Sequence, residues 1–219
     1  MSLDLTMDAG EEMRFLNRIN RLVRRLARKT HFTVRELEIC LLIYHKLVKD
    51  QNDPQARFVS THQLNMVFDT VLGISDQVVA GRIYGALEGT TVTSHITMGT
   101  WARMLSLLLR GTLGEKIDHC FRVYDISGHG KIRREDMMVL LRGCFVKHAQ
   151  EEVEESIKDL VDILIRRLDA DHDGEISLED FRVSIRKSPE LLECLGQALP
   201  DRVHVYAFSR TFLDRVKKF

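Results

Sequence analysis

The sequence predicts an all-α protein of four helix–loop–helix units in two lobes, with short β pairing between loops. Three observations carry this. Apolar residues recur at helical spacing along most of the 219 residues, and almost nothing alternates like an isolated strand. Three Pro and thirteen Gly leave few breakers. The helices come in pairs separated by loops near a dozen residues long, too long for bundle turns, so something beyond turn chemistry must order them.

The first helix, about 11–29, places Phe15, Ile19, Leu22 and Leu26 on one face. Around it stand Arg14, Arg18, Arg21, Arg24, Arg25, Arg28 and Lys29, with no acid between. The second, 33–49, carries Leu37, Cys40, Leu41, Tyr44 and Val48 on its apolar face and opens on a capping box, Thr33 with Glu36. Further helices are expected at 60–72, 75–87, 100–110, 113–124, 134–147, 151–168 and 178–187. Ser188-Pro189 has the chemistry to open another, to about Ala198. A short basic helix, 207–219, closes the chain.

Charge balances at 32 Lys+Arg against 32 Asp+Glu, which supports neither a nucleic-acid binder nor an acidic tail. The neutrality is a cancellation: residues 14–29 hold seven basic and no acidic side chains, while 151–180 hold twelve acidic and three basic. No apolar run approaches the roughly 18 residues of a membrane span. The opening MSLDLTMDAG has no apolar signal core and no Gly at position 2 for myristoylation, so a soluble cytosolic protein is expected. Cys40, Cys120, Cys144 and Cys194 are scattered without a C-x-x-C pair, and act as small hydrophobes.

One motif is strong. Residues 169–180 read DADHDGEISLED, with Asp169, Asp171 and Asp173 at loop positions 1, 3 and 5 and Gly174 at position 6. This is the opening of an EF-hand calcium loop. A hard cation takes six to eight oxygens, and alternate residues of a tight loop point inward to supply them. Glu175 offers its main-chain carbonyl at position 7, Ser177 a hydroxyl at position 9 and Asp180 a carboxylate at position 12. Position 12 is usually Glu; Asp is one methylene shorter. The expected cofactor is therefore a single Ca²⁺, bound weakly (apparent Kd on the order of 10⁻⁵ M or higher) with tolerance of Mg²⁺.

Three fainter copies accompany it. Residues 125–136, DISGHGKIRRED, keep Asp125, Gly130, Ile132 and Asp136 but put Ser127, His129 and Arg133 at ligand positions. Ile132 and Ile176, both at position 8, are expected to pair and close the lobe. Residues 89–100 lack carboxylates but keep Ile96 at position 8, and residues 50–61, with Pro54 inside, are fainter still. The resulting boundaries are 1–30 for a basic N-terminal extension, 31–111 for a lobe of two degenerate hands, 112–188 for a lobe with one degenerate and one calcium-binding hand, and 189–219 for a helical tail.

Over roughly residues 30–200 the chain resembles the neuronal-calcium-sensor-like branch of EF-hand proteins, and within it the calaxin-like axonemal sensors. The resemblance rests on HFTVRELEICLLIYHKLV, SLLLRGTLGEKIDHCFRVYD, IKDLVDILIRRLDADHDGEISLEDF and LLECLGQALPD. It implies a non-catalytic calcium-binding adaptor of the ciliary or flagellar axoneme. The implied partners are outer-dynein-arm docking-complex coiled coils, dynein chains or doublet-microtubule proteins. The acidic ligands usual in that family's second and third loops are absent here. The alternative is a regulatory subunit of neuronal-calcium-sensor or calcineurin-B type acting on a membrane or enzyme target. The missing Gly at position 2 counts against it, and the basic helix counts slightly for it. No G-x-S-x-G, Walker A, G-x-G-x-x-G or H-E-x-x-H motif points to an enzyme. Leu105, Leu108, Met137, Met138 and Leu141 are candidates for a partner-binding groove or, more simply, for core.

Overall fold

The computed structural model describes residues 7–51, 53, 55–88, 96–144 and 150–216. They form ten α-helices, one 3-10 turn and one two-stranded antiparallel ladder, an all-α EF-hand fold. The chain divides into two compact units, one of residues up to Gly111 together with the segment from Pro200, the other of Thr112–Leu199.

The first unit contains α1 (Ala9–Ala27), α2 (Val34–Lys49), α3 (Thr61–Leu72), α4 (Gln77–Glu88), α5 (Met98–Arg110) and α10 (Arg202–Val216). Asp8 caps α1, accepting the Glu11 N–H at 3.0 Å. The buried stripe of α1 is Phe15, Ile19, Val23 and Leu26, so Val23 rather than Leu22 faces inward. All seven cations of α1 and the residues just after it are exposed. The Thr33–Glu36 capping box is present. Eight residues of α2 are buried, more than one face, because α1, α5 and α10 all pack on it. Trp101 donates its indole N–H to the Cys40 carbonyl at 3.0 Å, and the Tyr44 hydroxyl donates to the Ile96 carbonyl at 2.6 Å, so both large rings bury without an orphaned polar atom.

An antiparallel bridge joins Val59 to Ile96. With Ile96 at position 8 of its loop, Val59 holds position 8 of the other, which shifts that loop to 52–63 rather than 50–61. Residues 52, 54 and 89–95 of these loops lie outside the described residues.

The second unit contains α6 (Leu113–Tyr124), β1 (Lys131–Ile132), α7 (Arg134–Cys144), α8 (Gln150–Leu168), β2 (Ile176–Ser177), α9 (Leu178–Lys187) and a 3-10 turn, Pro189–Leu191. Ile132 pairs with Ile176 and Lys131 with Ser177. Phe181 packs against Phe121 and Tyr124, with ring centroids 6.0 and 6.3 Å away. Arg182 clamps α9 to α6 with two bonds of 2.8 Å to the Asp118 carboxylate, holding that carboxyl below its ordinary range.

The helix expected from Ser188 to Ala198 stops after one 3-10 turn. Gly196 takes φ +124°, and the Glu193 carboxylate accepts the N–H groups of Ala198 and Leu199 at 2.9 Å each. The Tyr124 hydroxyl takes the Gly196 carbonyl at 2.6 Å. Tertiary and side-chain bonds thus consume the groups that a helix would pair internally. The closing helix begins earlier than expected, at Arg202, because Asp201 accepts the His204 N–H at 2.8 Å. Residues 145–147, the expected end of α7, lie outside the described residues.

Leu105, Leu108, Met137 and Leu141 are buried core, and Met138 is partly covered. Cys40 and Cys120 are buried thiols whose pKa burial raises, and burial also pushes Cys194 up to about 12. The Cys144 side chain lies outside the described residues.

Candidate metal centre

The loop between α8 and α9 is shaped by its own acids. Asp169, 5% exposed, accepts the His172 N–H at 2.7 Å with one carboxylate oxygen and the Gly174 N–H at 2.9 Å with the other. Asp171 accepts the Asp173 N–H at 3.1 Å, and Asp173 accepts the Glu175 N–H at 2.8 Å. Asp171 and Asp173 each fold the chain back two residues on, and Asp169 gathers N–H groups three and five residues on, which is how these short side chains favour turns. His172 at φ +63° and Gly174 at φ +88° supply the left-handed positions that the tight loop requires.

Ligand atoms of Asp169, Asp171 and Asp173 consequently lie within 4.8 Å of one another, the one such group found among the described residues. Three carboxylates this close repel one another, and a cation set among them would relieve that repulsion. The donor set is oxygen alone, the chemistry of a hard divalent ion, so these residues fit calcium or magnesium.

The remaining expected ligands stand elsewhere. Ser177 caps α9: its Oγ accepts the Asp180 N–H at 3.2 Å and donates to Asp180 Oδ2 at 2.5 Å. Asp180 Oδ2 also accepts the Ser177 N–H at 3.0 Å, so this carboxylate closes a capping box and does not join the group of three aspartates. The Glu175 side chain points to Lys131, Nζ to Oε2 2.5 Å, and to Arg133, Nε to Oε1 3.2 Å. Lys131 also reaches Asp173 Oδ2 at 3.4 Å. The Lys131 ammonium holds the Glu175 carboxyl below its usual range; the Glu175 N–H and then Lys131 do the same for Asp173; and Lys131 itself is raised, chiefly by Glu175. Sequence reading missed Lys131. The clue was its place before Ile132, since pairing of the two position-8 residues sets position 7 of one loop against position 9 of the other.

The neighbouring loop keeps the same skeleton without the ligands. Asp125 accepts the His129 and Gly130 N–H groups at 3.2 and 2.7 Å, and Gly128 and Gly130 sit at φ +69° and +78°. Asp136 accepts the Arg133 N–H at 3.1 Å, as Asp180 accepts that of Ser177. Ser60–Gln63 forms the same reciprocal cap in the first unit, and the Thr97 side chain caps the Thr100 N–H.

Residues 115–184 match the model of an EF-hand domain pair. The chain is 35% identical to calaxin of Xenopus laevis over 182 residues, covering 82% of this chain and 87% of the relative. It is 31% identical to calaxin of Danio rerio over 195 residues, covering 88% and 92%, and 30% identical to calaxin of Homo sapiens over 173 residues, covering 78% and 82%. With the paired position-8 ladder and the aspartate loop in place, the chain belongs to the calaxin family of EF-hand proteins.

Proposed function

We propose that this protein is a non-catalytic, calcium-responsive adaptor of the ciliary or flagellar axoneme, acting with the outer-dynein-arm docking machinery to regulate dynein-driven motility. The convergence of Asp169, Asp171 and Asp173 in the loop between α8 and α9 is the observation that carries the reading; kinship with calaxin supplies the setting. The ion would be held by those three carboxylates, the Glu175 main-chain carbonyl, Ser177 and Asp180. It would neutralise the acidic loop and tie α8 to α9. Ligation by Asp180 competes with the cap it makes with Ser177, which favours weak binding. A ligand shifts a conformational equilibrium only by its differential affinity for the two states, so one weak site suits an adaptor that stays docked and is tuned rather than released.

A second reading, a neuronal-calcium-sensor-type regulator at a membrane, draws on the exposed basic face of α1. Among the described residues no helix is long and apolar enough to cross a membrane. Affinity purification from ciliated tissue, with and without chelator, separates the readings. Docking-complex or dynein chains are expected in both conditions; recovery of membrane channels or a phosphatase instead contradicts the axonemal reading.

A further inference from the structure

In the second unit the degenerate loop delivers a cation to the acidic one. The ladder places Lys131 opposite Ser177, and from there its ammonium reaches Glu175 Oε2 at 2.5 Å and Asp173 Oδ2 at 3.4 Å. These two acids have different parts to play. Asp173 is one of the three convergent carboxylates, whereas Glu175 serves an EF-hand ion through its main-chain carbonyl, leaving its carboxylate free to anchor a lysine. Arg133 braces the same carboxylate at 3.2 Å. An ammonium has only donors and cannot ligate a metal. It can occupy, with its charge, the electrostatic place that a divalent ion needs.

We propose that Lys131 is a tethered competitor of the divalent cation: held by Glu175 against Asp173, it steadies the metal-free loop and lowers the affinity of the site. This rests on the reading of residues 169–180 as a metal loop. The side chains of Lys131, Asp173 and Glu175 are 40%, 44% and 34% exposed, so water-like screening applies to the charges. In such surroundings, removing a unit positive charge from within about 6 Å of a doubly charged ion tightens binding about tenfold.

The test is calorimetric titration of calcium into the full chain carrying Lys131→Met or Lys131→Gln, beside wild type and Lys158→Met, an exposed lysine of α8 remote from the loop. Both Lys131 variants are expected to bind about tenfold more tightly at 10 mM salt, with the gain shrinking at 1 M as the charge is screened. Lys158→Met should stay within twofold of wild type. Equal or weaker affinity in the Lys131 variants, or the same gain in Lys158→Met, overturns the competitor and leaves the metal loop standing. Folded wild type and Lys131 variants that both fail to bind overturn the metal reading and this inference with it.

Discussion

Ser177 and Asp180 cap each other at the start of α9, Oγ to Oδ2 at 2.5 Å and Asp180 N–H to Oγ at 3.2 Å. The same two positions are the ninth and twelfth of the loop, so the carboxylate that caps the helix is also the one proposed to reach the metal. Glutamate, one methylene longer, can reach further into the loop. Asp180→Glu is expected to tighten calcium binding by about tenfold or more, read by calorimetry. Ser177→Ala removes the cap and is expected to lower stability by about 1 kcal/mol in chelator, read by thermal melting.

Gly73 ends α3 at φ +68°, and a Cβ there would stand 2.5 Å from the His204 ring of α10. Gly73→Ala combines left-handed strain with that clash and is expected to cost about 1–3 kcal/mol, with amide protection of α10 lost first. Adding His204→Ala should recover the clash and leave about 1 kcal/mol of backbone strain. Equal costs in the single and double variants would show that α10 does not bear on Gly73.

His119 is buried with neither ring nitrogen hydrogen-bonded. Burial, then the Arg122 charge, lowers its pKa to about 4, and the nearby Ala198 backbone offsets this only in part. An unfolded histidine takes its proton near 6.5. Between these values the unfolded chain binds more protons, so stability is full above about pH 6.5 and falls as the pH drops toward 4, by about 2 kcal/mol at pH 5. His119→Phe forfeits no hydrogen bond and should flatten this slope in urea titrations of the full chain. An unchanged slope would place the acid sensitivity elsewhere.

Tyr124 donates its hydroxyl to the Gly196 carbonyl at 2.6 Å and packs its ring on Phe181. Tyr124→Phe keeps the ring and removes the hydroxyl's short bond to Gly196 together with its longer contact to the Leu192 carbonyl at 3.4 Å, so about 1 kcal/mol should be lost, with exchange quickening first across 192–199. Phe181→Ala opens the core itself and should cost about 3–5 kcal/mol. No loss in Tyr124→Phe, with 192–199 as protected as in wild type, would mean that the ring, not the hydroxyl, holds this segment.

Much of this was legible in the residues. The periodicity of 113–124 and 178–187 gave helices with the observed ends, and the spacing of Asp169, Asp171, Asp173 and Gly174 announced the loop. Position-8 residues foretold the pairing of Ile132 with Ile176. What escaped depends on contacts distant in sequence. Nothing local in Ser188–Ala198 says that Glu193 and Tyr124 will take its polar groups, and nothing local in Lys131 says that it will cross to Glu175. Asp180 was read as a ligand from its position; that its carboxylate also meets Ser177 follows from the shared numbering of cap and loop.

The central claim is a single divalent-cation site at residues 169–180, and calcium titration of wild type and Asp169→Ala tests it most directly. One ion per chain is expected, with a Kd on the order of 10⁻⁵ M. At a hundredfold excess over that value the ion should stabilise the fold by about 2.7 kcal/mol, and Asp169→Ala should abolish both binding and stabilisation. Two ions per chain, no binding at all, or calcium stabilisation that survives Asp169→Ala would contradict it.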